Sequence, residues 1–193
     1  MRPAVLLTVA VLAVASSAGL FAQSNGIPPE WEVKKQLTAL ADHVQRVKPV
    51  LDQLKPDDWI RQGAPSAYGD QLKRTSAEID YLIGSTKELT ARPEKLTTAL
   101  ETLFRMQAVD AMLRSVATGV RKYQNPALAD LLQSLISDTN SDRDQLRQYV
   151  VELAADREQQ FRVVDQEAQR CRSVLSRQPH SASKAADKKE AHQ

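Results

Sequence analysis

The residues that could carry chemistry are few and lie far apart in the sequence. The chain holds three histidines among 193 residues, and two of them, His180 and His192, fall in its last fourteen positions. His43 lies at the edge of an apolar seam, where a haem or metal ligand could sit. Neither a C-x-x-C-H motif nor a Glu-x-x-His pair is present, so covalent haem and a di-iron site are not expected. We predict no cofactor and no metal, and we interpret His43 as a boundary residue.

A carboxylate, Asp110, falls on or beside the apolar stripe of the third predicted helix, which also carries two methionines. Asp110 would cost several kcal/mol if it were buried without a partner. We expect an ion pair with an arginine such as Arg114 or Arg157, or rotation into solvent; a proton-handling or metal site is the alternative. Met106 and Met112 do not share a helix face, so Met106 is predicted to fill the core rather than to bind Cu(I).

Cys171 is the single cysteine, which excludes an intramolecular disulfide and a cysteine-based zinc site. Arg170 and Arg172 flank it, and neighbouring cations favour a reactive thiol. Its register with Ala168 and Leu175 instead indicates a small apolar residue on a helix seam. Both interpretations remain open at this stage, together with an intermolecular disulfide.

Two aromatic residues lie in the least regular part of the sequence. Trp59 and Tyr68 flank a segment that contains Gly63 and Pro65. They are predicted either to plug one end of the fold or to anchor a protein partner. Trp31 is expected to pack beneath the N-terminus.

Composition and motifs argue against several functional classes. Twenty-six basic residues balance 24 acidic ones, whereas a nucleic-acid binder needs a basic surplus on one face. There is no Gly-x-Ser-x-Gly turn and no glycine-rich phosphate loop. We therefore expect neither nucleic-acid binding nor enzymatic activity.

The elements that must position these residues are predicted to be helices. Aromatic residues make up 5% of the chain and there are only 6 glycines, which is unfavourable for a sheet protein. Apolar residues alternate at spacings of four and three, typical of amphipathic helices. We predict helices over 30–54, with a kink at Pro49, and over 65–90, 93–123 and 126–175, with a single helical turn at 59–63.

The fold class is predicted to be all-α, an antiparallel up-down bundle of four long helical arms with coiled-coil-like seams. Short proline-containing corners make successive helices antiparallel neighbours. Residues 137–142 are six residues that favour helix caps, and they predict that the last arm is interrupted. The seams could instead close by dimerisation, which makes a homodimer the alternative.

The N-terminal part of the sequence indicates export, and the C-terminal part indicates disorder. Arg2, an apolar run and small residues form a signal-peptide pattern over 1–22, with cleavage after Ala22. Residues 23–29 are an extended lead-in, 30–176 the bundle domain, and 177–193 a disordered tail. An uncleaved anchor is the alternative, since 4–22 approaches the length of a membrane span. Membrane association is expected only in that case.

These features predict an exported, non-enzymatic interaction or scaffolding module with an unknown protein partner. Its location would be extracytoplasmic, in the periplasm or secreted. The alternatives are a haem- or metal-binding bundle and a periplasmic chaperone-like protein.

Overall fold

A computed structural model describes residues 26–177, and every element within that range is an α-helix. The predicted all-α class is therefore confirmed. The six helices, in chain order, are α1 (Glu30–Gln45), α2 (Lys48–Leu51), α3 (Pro56–Arg61), α4 (Ala67–Ala91), α5 (Leu96–Tyr123) and α6 (Pro126–Arg177).

The long helices enclose one hydrophobic core. α1 packs against α4 and α6, and α5 packs against the same two helices. The buried positions on α1 repeat the predicted four-three spacing, from Val33 through Leu37 and Leu40 to Val44. This spacing places one stripe of each helix inside. Met106 lies in this core, as predicted.

Proline 49 divides the first predicted helix into two. A proline ring clashes with the carbonyl four residues earlier and lacks an N–H donor. That carbonyl belongs to Gln45, where α1 ends. Val47 N then donates to Val44 O, a tighter turn, before α2 begins at Lys48. The helical hydrogen bonding is therefore interrupted at the predicted kink, although Arg46 and Val47 keep right-handed helical backbone angles.

Two of the three corners between helices have the conformation that their residues predict. Gly63 closes α3 with φ 93°, a left-handed conformation that glycine adopts without steric cost. The Asn125 side chain accepts from Ala127 N at 2.8 Å and caps α6. Pro93, predicted to begin a helix, instead lies buried in the turn before α5, and its carbonyl accepts the Tyr149 hydroxyl.

The predicted interruption of the last arm is wrong. α6 runs without a break through residues 137–142. Two of the side chains expected to cap helices bond to carbonyls of the same helix: Ser137 to Gln133, and Thr139 to Ile136. Asp142 turns inward to another helix. These bonds satisfy Ser137, Thr139 and Asp142 without ending the helix. Asn140 Oδ1, by contrast, is buried without a hydrogen-bond partner among the described residues.

The signal sequence over 1–22, the cleavage after Ala22 and nearly all of the predicted tail lie outside the described residues. Pro29, at the end of the lead-in, has extended backbone angles of φ −55° and ψ 143°. Within 26–177, none of the helices combines the length and the hydropathy that crossing a membrane requires.

Candidate functional site

Trp59 is enclosed at the corner between α3 and α4. Only 1% of its surface is exposed. Its ring meets Tyr68 edge to face at 5.7 Å, and Tyr68 meets Tyr123 in the same way at 5.9 Å. The indole offers no surface that a partner could reach, so the anchor interpretation is wrong for Trp59. Half-buried Tyr68 is the central ring of this aromatic cluster.

Gln124, which the sequence analysis did not single out, holds this corner together. Its side-chain oxygen accepts from Trp59 Nε1 at 2.9 Å and from Lys55 N at 3.1 Å. Its amide nitrogen donates to Gln53 O at 3.0 Å. One carboxamide thus satisfies two backbone groups of the turn between α2 and α3 and the indole N–H of Trp59 in α3. Its place at the end of α5 carries no sequence signal for this role.

His43 is a boundary residue that pairs with α6. Its Nδ1 lies 2.6 Å from Asp142 Oδ2, and since an ionised carboxylate only accepts, the imidazole donates. Asp142 is 9% exposed and His43 31% exposed. Across residues 26–177, no three histidine, cysteine, aspartate or glutamate side chains gather in a metal-binding cluster. The pair links two helices.

Asp110 is paired as expected, although one of the two partners is different. Arg114 Nε donates to Oδ2 at 2.9 Å and its Nη2 to Oδ1 at 3.0 Å, in a bidentate geometry. This hydrogen bond raises the pKa of Arg114, against the opposing effect of desolvation. Arg143 of α6 approaches the same carboxylate at 3.5 Å. Arg157, the other candidate, instead donates to Glu94 O at 2.9 Å.

Cys171 lies in a part of α6 that no other described helix covers. Its side chain is exposed, so burial on an intramolecular seam is wrong. Leu153 is the last buried residue of α6, and the Arg157 bond to Glu94 O is the last described hydrogen bond from α6 to another helix or turn. We call residues 158–177 the α6 overhang. At about 1.5 Å per residue it extends roughly 30 Å beyond the core.

The α6 overhang carries an exposed apolar stripe. Its residues recur at spacings of three and four, which place them on one face, and they are Phe161, Val164, Ala168, Cys171 and Leu175. Phe161 is 73% exposed, Val164 66% and Leu175 67%. At the root of the overhang, Phe161 and Arg157 line an open groove with Leu96 of α5. Contiguous exposed apolar surface is a feature of protein and membrane interaction sites and of aggregation-prone segments.

The polar residues of the overhang bond only within α6 among the described residues. Arg170 pairs with Glu167 at 3.0 Å, and Gln169 donates to Asp165 at 2.9 Å. Such pairs add only a few tenths of a kcal/mol each. The overhang continues a helix that begins in the core, and helical stability in proteins comes mostly from packing of an apolar face, so a partner on the apolar face would stabilise it.

Trp31 is a second exposed apolar group near this end of the molecule. The prediction that it packs beneath the N-terminus is wrong, since 68% of its surface is exposed. It stands in the first turn of α1, which lies beside the part of α6 that contains Tyr149.

Comparisons of the chain with protein-family models, with curated proteins and with solved structures find no match.

Proposed function

We propose that this protein is an exported, non-enzymatic interaction module in which the α6 overhang is the binding element. The observation that carries the proposal is the exposed stripe from Phe161 to Leu175, spaced for helix-to-helix packing. Hydrogen bonds from polar side chains to other parts of the fold support a structural role for these side chains. Asp110, His43 and Gln124 each bond to neighbouring groups of the fold.

Photo-cross-linking in the native cell tests the binding role of the overhang. A photoactivatable residue at position 164, on the stripe, should give adducts with a protein. The same residue at position 166, on the opposite face of the helix, is the matched control and should give few. A lack of adducts at 164, or equal yields at the two positions, would contradict the proposal.

We also propose that α1, α4, α5 and α6 form an up-down-up-down bundle. Contacts between neighbouring helices support it, because the residue numbers run in opposite directions. Glu78 of α4 pairs with Arg105 of α5, whereas Tyr68, earlier on α4, touches Gly119, later on α5. The α5–α6 pair behaves in the same way, with Arg143 near Asp110 and Arg121 bonded to Asp130.

Distances between spin labels test this arrangement. Labels at the exposed positions 97 and 151 should lie close together, because Tyr149 bonds to the turn that precedes α5. Labels at 97 and 131 should lie far apart, near opposite ends of the bundle. The reverse order of the two distances would rule out the up-down arrangement.

Export is the part of the proposal that rests on sequence alone. The apolar run in 1–22 and the small residues before Gln23 support cleavage after Ala22. Mass spectrometry of the protein from its native cells should find a mature chain that begins at Gln23. A chain that retains residues 1–22 would instead support the anchor, and recovery from the cytoplasm would refute export.

A further inference from the structure

We propose that the partner of the α6 overhang is a second copy of this chain, and that the two overhangs pair antiparallel. The inference rests on the proposed function, since it names the partner for the same surface. Three features of the overhang support it: the heptad spacing of its apolar stripe, the distribution of its charges, and the position of the stripe relative to the bundle.

The apolar stripe has the spacing of a two-stranded coiled coil. Phe161, Ala168 and Leu175 are seven residues apart, and Val164 and Cys171 alternate with them. Residues at these spacings form the a and d positions of a heptad, which pack into holes on a facing helix. The small side chains of Ala168 and Cys171 lie between larger apolar ones, which allows two helices to approach closely at the middle of the overhang.

The charges of the overhang are divided between its two halves. The first ten residues contain three acidic side chains and one basic side chain: Glu158, Asp165, Glu167 and Arg162. The last ten contain three basic side chains and no acidic one: Arg170, Arg172 and Arg177. An antiparallel pair places each acidic half against the basic half of the other copy. Complementary charges that flank a seam favour this orientation.

One antiparallel register satisfies both the stripe and the charges. It sets Val164 against Leu175 of the second copy and Ala168 against Cys171 of the second copy. Asp165 then lies beside Arg172 of the second copy, and symmetry repeats each contact. A register shifted by one heptad would bring Asp165 of both copies together and would move the end of each α6 toward the other bundle.

The position of the stripe excludes a parallel pair. Val164 and Cys171 lie on nearly the same side of α6 as Val150 and Leu153, because of their spacing along the helix. Val150 and Leu153 face the core, so the stripe faces the space beyond the end of its own bundle. A parallel pair would place both bundles in that space at once. An antiparallel pair places the two bundles at opposite ends of the paired overhangs.

Sedimentation analysis of the purified protein, from micromolar to several hundred micromolar, tests the pairing. We expect a monomer–dimer equilibrium. Val164→Glu should raise the dissociation constant at least tenfold, because it places a charge in the seam. Gln166→Glu adds the same charge on the opposite face and should change it little. Val164 is exposed, so circular dichroism should show that both variants remain folded.

Charge exchange tests the register. Asp165→Arg and Arg172→Asp should each weaken the dimer several-fold, because each brings like charges together. The double variant exchanges the two charges and should restore the dimer. A double variant that is weaker than either single one would overturn the proposed register.

Cysteine cross-linking tests the orientation. In the antiparallel register Cys171 faces position 168 of the second copy, so Ala168→Cys should form disulfides between 168 and 171 of different chains under mild oxidation. The unsubstituted protein should form few disulfides between two Cys171 residues. A dominant Cys171–Cys171 link would show that the helices are parallel and would overturn the proposal.

The two proposals fail in different ways. A protein that stays monomeric at all concentrations, but whose position 164 cross-links a different protein in the cell, refutes pairing of copies and leaves the interaction module in place. A monomer whose stripe is covered by residues 4–22 of its own chain, or which binds lipid vesicles through the stripe, also refutes pairing. A monomer with no adduct at position 164 refutes both.

Discussion

At the scale of single residues, two acidic side chains that face other helices are paired within the fold. Asp110 receives two hydrogen bonds from Arg114, and Asp142 receives one from His43. A buried group that lacks its partner costs about 1–3 kcal/mol. In a sequence, such structural residues resemble catalytic residues, because an ionisable group on an apolar helix face is unusual whether its role is structural or catalytic. The hydrogen-bond partners distinguish a structural residue from a catalytic one, and only the folded chain brings these partners together.

The contact between Gly119 and Tyr68 gives a prediction of this kind. A Cβ atom at position 119 would lie 2.6 Å from Tyr68 Cε1 and 3.1 Å from Cζ. The Tyr68 ring cannot shift freely, because the rings of Trp59 and Tyr123 contact it. We expect Gly119→Ala to lower the free energy of unfolding by up to about 2 kcal/mol, because an overpacking cost of about 1–3 kcal/mol is partly offset by a helix-propensity gain of about 1 kcal/mol. Denaturant unfolding monitored by tryptophan fluorescence measures it.

Gly84→Ala is the matched control for this substitution. Gly84 also lies within a long helix, and a Cβ atom there would meet nothing within 4 Å. Alanine is the better helix former by about 1 kcal/mol, so this variant should be more stable than the parent. If both variants change stability in the same direction, the packing of Tyr68 does not explain the effect of Gly119→Ala.

At the scale of elements, the middle of α6 is a segment whose local conformational preference differs from the conformation that it adopts in the packed fold. Residues 137–142 favour caps and turns when judged alone, and this preference led to the prediction of a break. In the structure, Asp142 bonds to His43, 99 positions earlier, and Arg143 approaches Asp110. Contacts so distant in sequence leave no local pattern. The spacing of Leu132, Ile136 and Leu146, by contrast, is a local pattern, and these residues are buried.

Asp142→Ala tests this account of α6. The substitution removes the bond to His43, and we expect unfolding free energy to fall by about 1–3 kcal/mol. Amides over residues 137–143 should exchange with solvent faster. Asp138→Ala is the control, because Asp138 is exposed on the same segment, and alanine there should be neutral or slightly stabilising. Equal effects from the two substitutions would show that the His43 contact does not hold α6 continuous.

The same distinction explains why the place of Cys171 could not be predicted. The spacing of Ala168, Cys171 and Leu175 indicates which face of a helix is apolar. It does not indicate where the neighbouring helices end. α5 begins at Leu96 and α1 begins at Glu30, and both starts lie beside the part of α6 near Tyr149 and Arg157. Whether the stripe is exposed therefore depends on how far α6 extends beyond the ends of the neighbouring helices.

At the scale of the whole molecule, Tyr149 joins α6 to the turn between α4 and α5, close to the point where the overhang begins. Its ring is 4% exposed, and its hydroxyl donates to Pro93 O. Burial raises the pKa of this phenol above the ordinary 10.0, and the nearby Glu94 carboxylate raises it further. The folded state therefore holds the phenol proton more tightly than the unfolded state does. The stability of the entire fold becomes linked to pH through this one group.

The sign of this linkage gives a prediction for alkaline pH. Because the pKa is raised, the contribution of Tyr149 is fully present below pH 10.0 and is lost as the pH rises through the raised value. Tyr149→Phe removes the titrating group and leaves Pro93 O without its donor, so it should cost about 1–2 kcal/mol at neutral pH. The difference in unfolding free energy between the parent and this variant should stay constant up to about pH 9 and should shrink as the pH rises through 10.0 toward the raised pKa.

Alkaline pH also changes the charge of the protein elsewhere, so the comparison between variants carries the test. Tyr81→Phe is the control, since its ring is 61% exposed and the change removes the same hydroxyl. We expect the parent and Tyr81→Phe to lose stability in parallel as the pH rises, because an exposed phenol is solvated in both the folded and the unfolded state. A difference between the parent and Tyr149→Phe that stays constant, or widens with pH, would show that the Tyr149 proton is not held by the fold.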